Sequence, residues 1–192
     1  MRPHRTRSLR ARRLSIAPDP AFQDASARVA PARVRLHPHG LDLSGGEGSD
    51  ILPLYVGSMH YWRHHPSTWG RGLDAMREMG LLLVDTYVPW GVHEKEPGKF
   101  DFGTEEPRYD VARFLRMAHE RGLRAVVRPG PHINAELTYF GLPERVVWNR
   151  ACQARTPRDN PVMLPMVPVA FPVPSYASRV FHAEVERWFA RV

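Results

Sequence analysis

The 192 residues are 43% apolar and 24% charged, a globular composition that excludes wholesale disorder. A lone cysteine, Cys152, excludes an internal disulfide framework and any multi-cysteine metal site, and no run reaches the ~18 consecutive apolar residues of a membrane span. The formal charge of +7 lies wholly within residues 1–35, where nine arginines face Asp19 and Asp24; the balanced remainder offers phosphate no basic face, so a neutral partner is expected rather than nucleic acid or a membrane.

Residues 1–31 lack periodicity and read as a disordered, Arg-rich leader, with the folded portion expected over 32–192. Arg12-Arg13-Leu14 resembles a twin-arginine signal, but Pro18 and Pro20 follow in place of an apolar segment, which argues for a cytoplasmic product. Val34–Leu36, Gly40–Leu43 and a turn over Gly45–Gly48 predict a short hairpin. Ile51–Val56 reads as a first core strand. After Pro66, Ser67 or Thr68 is expected to cap a helix with Trp69, Leu73 and Met76 on one face and Gly80 as its stop. A second strand runs from Leu81 toward Val88, apolar at its start as a strand buried on both faces should be. Asp110 caps a second helix with Val111, Phe114, Leu115 and Ala118 on its inner face and Gly122 at its end, and Leu123–Val127 is a third strand. Residues 149–174 hold Cys152 and six prolines without periodicity, the pattern of an extended surface loop, with Cys152 an inert thiol. A third helix is expected from Ser175, burying Phe181, Val185, Trp188 and Phe189. Repeated strand–helix units give an α/β fold with a parallel sheet.

A polar and aromatic cluster follows each strand: Ser58–Trp62, Thr86–Glu94 and Arg128–Glu136. In a parallel sheet these strand ends share one edge, where α/β enzymes place their sites. Aromatic faces beside carboxylates and amides suit a sugar, whose apolar ring faces stack while its hydroxyls take paired donors and acceptors. His60, His93 and His132 also fall at the strand ends, but without His-x-His or His-x-x-x-His spacing, so no metal site is expected.

Gly57-Ser-Met-His-Tyr61, Thr86-Tyr-Val-Pro-Trp-Gly-Val-His-Glu94 with Pro97-Gly-Lys-Phe-Asp-Phe102, and Arg128-Pro-Gly-Pro-His-Ile-Asn-Ala-Glu136 with Gly141-Leu-Pro143 resemble the N-terminal part of glycoside hydrolase family 35, the retaining β-galactosidases. Asn134 stands where that family usually has cysteine, His132 where tyrosine is common, Gly91 where asparagine is common, and Leu137–Phe140 where a tryptophan-containing run is usual. Members are (β/α)8 TIM barrels, so the resemblance implies a partial barrel here, about its first three βα units. It also implies a terminal galactose held by Tyr87 and by the backbone and carboxylate of Asn134, Ala135 and Glu136, without a cofactor. His60 joins these as a wall residue, and Trp90 is either a platform or a core filler. Tyr87 could equally be a core aromatic, and Glu136 could simply pair with Arg128 or a backbone donor. In the family the acid/base glutamate follows strand four in an Asn-Glu pair and the nucleophile follows strand seven. This chain has no Asn-Glu pair, so both catalytic glutamates are expected beyond Val192, and the sequence reads as the opening of a glycosidase without either. The second reading is a truncated, non-catalytic product that at most binds sugar weakly.

Overall fold

A computed structural model describes residues 34–44, 50–166 and 169–192. The expected leader and the Gly45–Gly48 turn lie outside the described residues. Two compact units divide at Ile51 and Leu52. In the first, β1 (Arg35–His37) and β2 (Gly40–Asp42) form an antiparallel hairpin with His37 opposite Gly40, so the chain reverses at Pro38-His39. β3 (Ile51–Leu52) straddles the division.

The second unit is built on a three-stranded parallel sheet in the order β4 (Val56–Ser58), β5 (Leu83–Tyr87), β8 (Arg124–Arg128). Val56 pairs with Leu83, and Leu83 with Arg124, so all three strands point their C-termini the same way. Met59 N–H to Asp85 C=O and Val88 N–H to Arg128 C=O, both 3.0 Å, carry the ladders past the strand ends. The first strand is therefore Val56–Ser58 and not Ile51–Val56: Pro53, which lacks an N–H to pair, separates β3 from β4. The chain is mixed α/β, and the described strands close no barrel.

Between β4 and β5 runs α1 (Pro66–Glu78). His65, not Ser67 or Thr68, is its N-cap, accepting from Ser67 N–H, because Pro66 takes the first helical position where no N–H is needed. Trp69, Leu73 and Met76 are buried as the spacing predicts. After β5 come α2 (Trp90–His93) and the β6 (Glu94–Glu96)–β7 (Lys99–Phe100) hairpin, then α3 (Val111–Glu120). Asp110 caps α3 by accepting from Arg113 N–H at 2.8 Å, as expected. Trp69 and Phe114 meet edge-on at 5.6 Å and join α1 to α3. Gly91 is needed for closeness: a Cβ there would meet the Leu142 carbonyl oxygen at 2.9 Å.

After β8 the chain forms α4 (Glu144–Val147), a single 3-10 turn at Arg150–Cys152 and an antiparallel hairpin, β9 (Met163–Met166) and β10 (Val169–Pro172), with Phe171 opposite Leu164. The expected structureless loop over 149–174 is thus largely ordered: Val162 N–H bonds to Ala154 C=O and Val173 N–H to Val162 C=O. The prolines hid this pairing because they break strand periodicity without preventing edge pairing. Cys152 is buried inside the turn, and burial pushes its thiol pKa up. α5 (Arg179–Phe189) starts later than expected, because Ser178 rather than Ser175 accepts from Phe181 N–H. Its buried face is Phe181, Glu184 and Trp188, while Phe189 is exposed. No described helix is long and apolar enough to cross a membrane.

Candidate functional site

Asp85 is the one charged residue of β5, buried beside Leu83, Val84 and Thr86, and it organises the sheet edge. Its carboxylate accepts from Ser58 Oγ–H at 2.9 Å and from Arg128 Nε–H at 2.8 Å, and Arg128 Nη2 closes a bidentate pair. One residue thus ties β4, β5 and β8 together at their C-terminal ends. The fixed guanidinium lies 3.8 Å over the Tyr87 ring, a cation–π contact that sets the ring's plane. The His60 ring also approaches Tyr87, at 5.2 Å, and stacks on Trp62 at 4.8 Å. Burial, followed by the charge of Arg63, lowers the His60 pKa.

Tyr87, Arg128, His132, Ile133 and Asn134 line a pocket of about 440 Å³ at this edge. His132 Nε2 and Asn134 Oδ1, 3.4 Å apart, give one wall hydrogen-bonding groups. Next along the chain, the Ala135 carbonyl accepts from Arg63 Nη2, and Glu136 is 88% exposed, with a carboxylate oxygen 3.9 Å from that arginine. Beneath the edge, Trp90 is fully buried, donates its indole N–H to Glu94 at 2.8 Å and stacks on Trp188 at 6.1 Å. Trp188 in turn donates to the Pro129 carbonyl at 2.7 Å, which anchors the start of the third strand-end loop to α5. Glu94 also accepts from Gly98 N–H and from Arg145, which reaches Glu184 at 2.8 Å with its other arm.

Residues 47–163 match glycosyl hydrolases family 35. The chain belongs to that family. Beta-galactosidase 14 of Arabidopsis thaliana is 44% identical over 90 residues, 47% of this chain and 10% of that relative. Beta-galactosidase-1-like protein 2 of Homo sapiens is 36% identical over 131 residues, 67% of this chain and 20% of the relative. Homo sapiens beta-galactosidase is 46% identical over 87 residues, 45% of this chain and 12% of the relative. The chain therefore spans a tenth to a fifth of these relatives. A crystal structure of beta-galactosidase from the psychrophilic Marinomonas ef1 matches with a TM-score of 0.52 and 16% identity, over 69% of this chain and 18% of that one, and speaks to the fold alone.

As a family 35 chain, it brings Tyr87 and Asn134 to one pocket, with His60 against the Tyr87 ring. Ala135 and Glu136 follow directly but do not line that pocket; Glu136 turns toward Arg63, not Arg128, since Asp85 already occupies the Arg128 fork. Trp90 is a core filler and not a platform, because it has no face open to solvent. The three histidines have separate surroundings. His93 is fully buried between Tyr61 Oη, 2.5 Å from Nε2, and the Asp101 carbonyl, 2.7 Å from Nδ1, while His132 is exposed and stacks on Phe140. Sequence reasoning missed Asp85. Its signal was an acid placed directly after Leu81-Leu-Leu-Val84, where an unpaired charge would be too costly to bury.

Proposed function

We propose that residues 52–192 form the first βα units of a (β/α)8 barrel whose strand-end edge holds the terminal galactose of a β-galactoside, within a retaining β-galactosidase. The observation that carries this reading is the Tyr87 ring, in contact with Arg128 at 3.8 Å and with His60 at 5.2 Å, in a pocket with the polar wall His132–Asn134. A rigid aromatic with adjacent donors and acceptors suits a neutral hexose. The names of the family 35 relatives point to galactosides.

Retaining hydrolysis uses two carboxyl groups roughly 5–5.5 Å apart, a nucleophile and an acid/base, in a double displacement through a covalent glycosyl-enzyme without a cofactor. Two acids at this edge are already committed. Asp85 is ion-paired with Arg128 and accepts from Ser58, and Glu94 is buried under Arg145, Trp90 and the Gly98 N–H. Neither is free to attack an anomeric carbon or to pass a proton. In this reading the strand-end residues bind and orient the sugar, and barrel units beyond Val192 supply the bond-breaking pair. Isothermal titration of the 192-residue chain with methyl β-D-galactopyranoside tests it. Saturable binding is expected, weakened about tenfold, ~1.4 kcal/mol, by Tyr87→Ala. Equal binding by the Tyr87→Ala variant would contradict the reading. Turnover of a chromogenic β-galactoside by this chain would contradict the assignment of the chemistry to other units.

A further inference from the structure

The polar wall of the pocket is supported from outside the sheet. His132 lies flat on Phe140, with ring centroids 4.5 Å apart and planes 22° apart. Phe140 meets the edge of Phe171, on β10, at 5.5 Å, and Tyr139 meets the same ring at 5.3 Å. The main chain repeats the link, because Ile133 N–H donates to the Phe140 carbonyl at 2.8 Å. Phe171 is only 4% exposed although it comes from the hairpin, whereas His132 and Asn134 are exposed at the pocket. Tyr139 and Phe140 both have left-handed backbones, φ 53° and 54°, in a loop where Glu136 does too, at 47°. Bulky residues hold such a conformation only where their surroundings over-determine it, at a cost on the order of 1–3 kcal/mol each. Phe171 is a ring that touches both of them.

We propose that Phe171 is a positioning residue: through Phe140 it fixes the His132–Asn134 wall, so the β9–β10 hairpin sets the width of the sugar pocket and its hydrogen-bonding geometry. The consequence for sugar binding rests on the galactoside reading above; the mechanical coupling does not. Packing transmits the effect because two edge-to-face contacts and one stack leave little slack, and a Phe171 truncation would remove the shared partner of both strained residues.

The test reads coupling and binding separately on the full 192-residue chain. NMR is used to follow the His132 ring protons and the Ile133 and Asn134 amides in the parent and in Phe171→Ala, with Phe171→Leu as a milder, apolar variant without the ring should the alanine form unfold. Phe171→Tyr serves as the aromatic rescue. In the truncated variant, or in the leucine form, the His132 ring signals are expected to move toward free-imidazole positions. The Ile133 amide is expected to exchange at least tenfold faster, and the Trp69 and Phe114 signals to stay in place. Phe171→Tyr should restore the parent spectrum. Unchanged His132 and Ile133 signals in a folded Phe171→Leu chain would overturn the proposal. If the parent binds methyl β-D-galactopyranoside, the Phe171→Leu affinity should fall several-fold and Phe171→Tyr should recover it; full affinity in Phe171→Leu would also overturn it. Failure of the parent to bind, with the spectral coupling intact, would count against the galactoside reading and leave the coupling standing.

Discussion

Arg145 bridges two carboxylates that water hardly reaches, Glu94 at 1% and Glu184 at 9% side-chain exposure. Removing it as Arg145→Ala leaves Glu94 buried without a counter-charge, while Glu184 keeps Arg187, and the expected loss is about 3 kcal/mol in denaturant unfolding. Arg145→Lys should recover only part of this, since an ammonium cannot reproduce the two-armed fork. His93 makes a separate, pH-dependent contribution. Burial lowers its pKa from 6.5 to about 4, against the opposing pull of the Asp101 carbonyl. The unfolded chain therefore binds a proton that the folded chain refuses between those values. Stability should be full above about pH 6.5 and fall as pH drops toward 4, by on the order of 3 kcal/mol in total. Urea melts across this range should show that slope, reduced in His93→Gln. At this scale the sequence was legible where a residue's type matched its surroundings. Tyr87 and Asn134 line one pocket at the strand-end edge, whereas Trp90 could not be told from a platform, because a tryptophan at a strand end reads the same whether its face looks in or out. Of the alternatives for Glu136, pairing with Arg128 is not seen, because Asp85 claims Arg128 through the register between β5 and β8, which spacing alone does not give.

Elements were legible where periodicity was long and unbroken. α1 and α3 follow the i, i+4, i+7 pattern of their buried faces, and Asp110 caps α3 as expected. α5 was displaced because Ser175 and Ser178 are equally good caps by type, and only the latter accepts from the first helical turn. Ser178 Oγ–H also donates to the Ala151 carbonyl at 2.7 Å, so the cap fastens the helix to the turn that buries Cys152. Ser178→Ala should cost about 1–2 kcal/mol by thermal melting, and Ser175→Ala markedly less. The β9–β10 hairpin was not legible because proline runs lack alternation, and its pairing is fixed by distant partners such as Phe171 with Tyr139 and Phe140.

At the level of the whole molecule, β4 and β8 are the outer strands of the described parallel sheet. Val126 and Val127 on β8 are 39% and 38% exposed, and Val56 on β4 is 42% exposed. Apolar strands with open edges recruit further strands. The chain should therefore self-associate as its concentration rises, measured by sedimentation velocity, and Val126→Lys should hold it monomeric under the same conditions. A monomeric parent at all concentrations would contradict this. The parallel order and the shared edge were foreseeable from the repeated strand–helix rhythm. Open outer strands likewise follow from reading the chain as three strands of a barrel.

The central claim is that the ends of β4, β5 and β8 act as one sugar-holding surface, and NMR titration of amide shifts with methyl β-D-galactopyranoside tests it most directly. Saturable shifts converging on Tyr87, Arg128 and Asn134, and absent with the 4-epimeric glucoside at equal concentration, are the result this account predicts. No shifts at these three residues, or shifts centred instead on the second pocket of about 450 Å³ beside Lys95, Leu142 and Arg145, would contradict it.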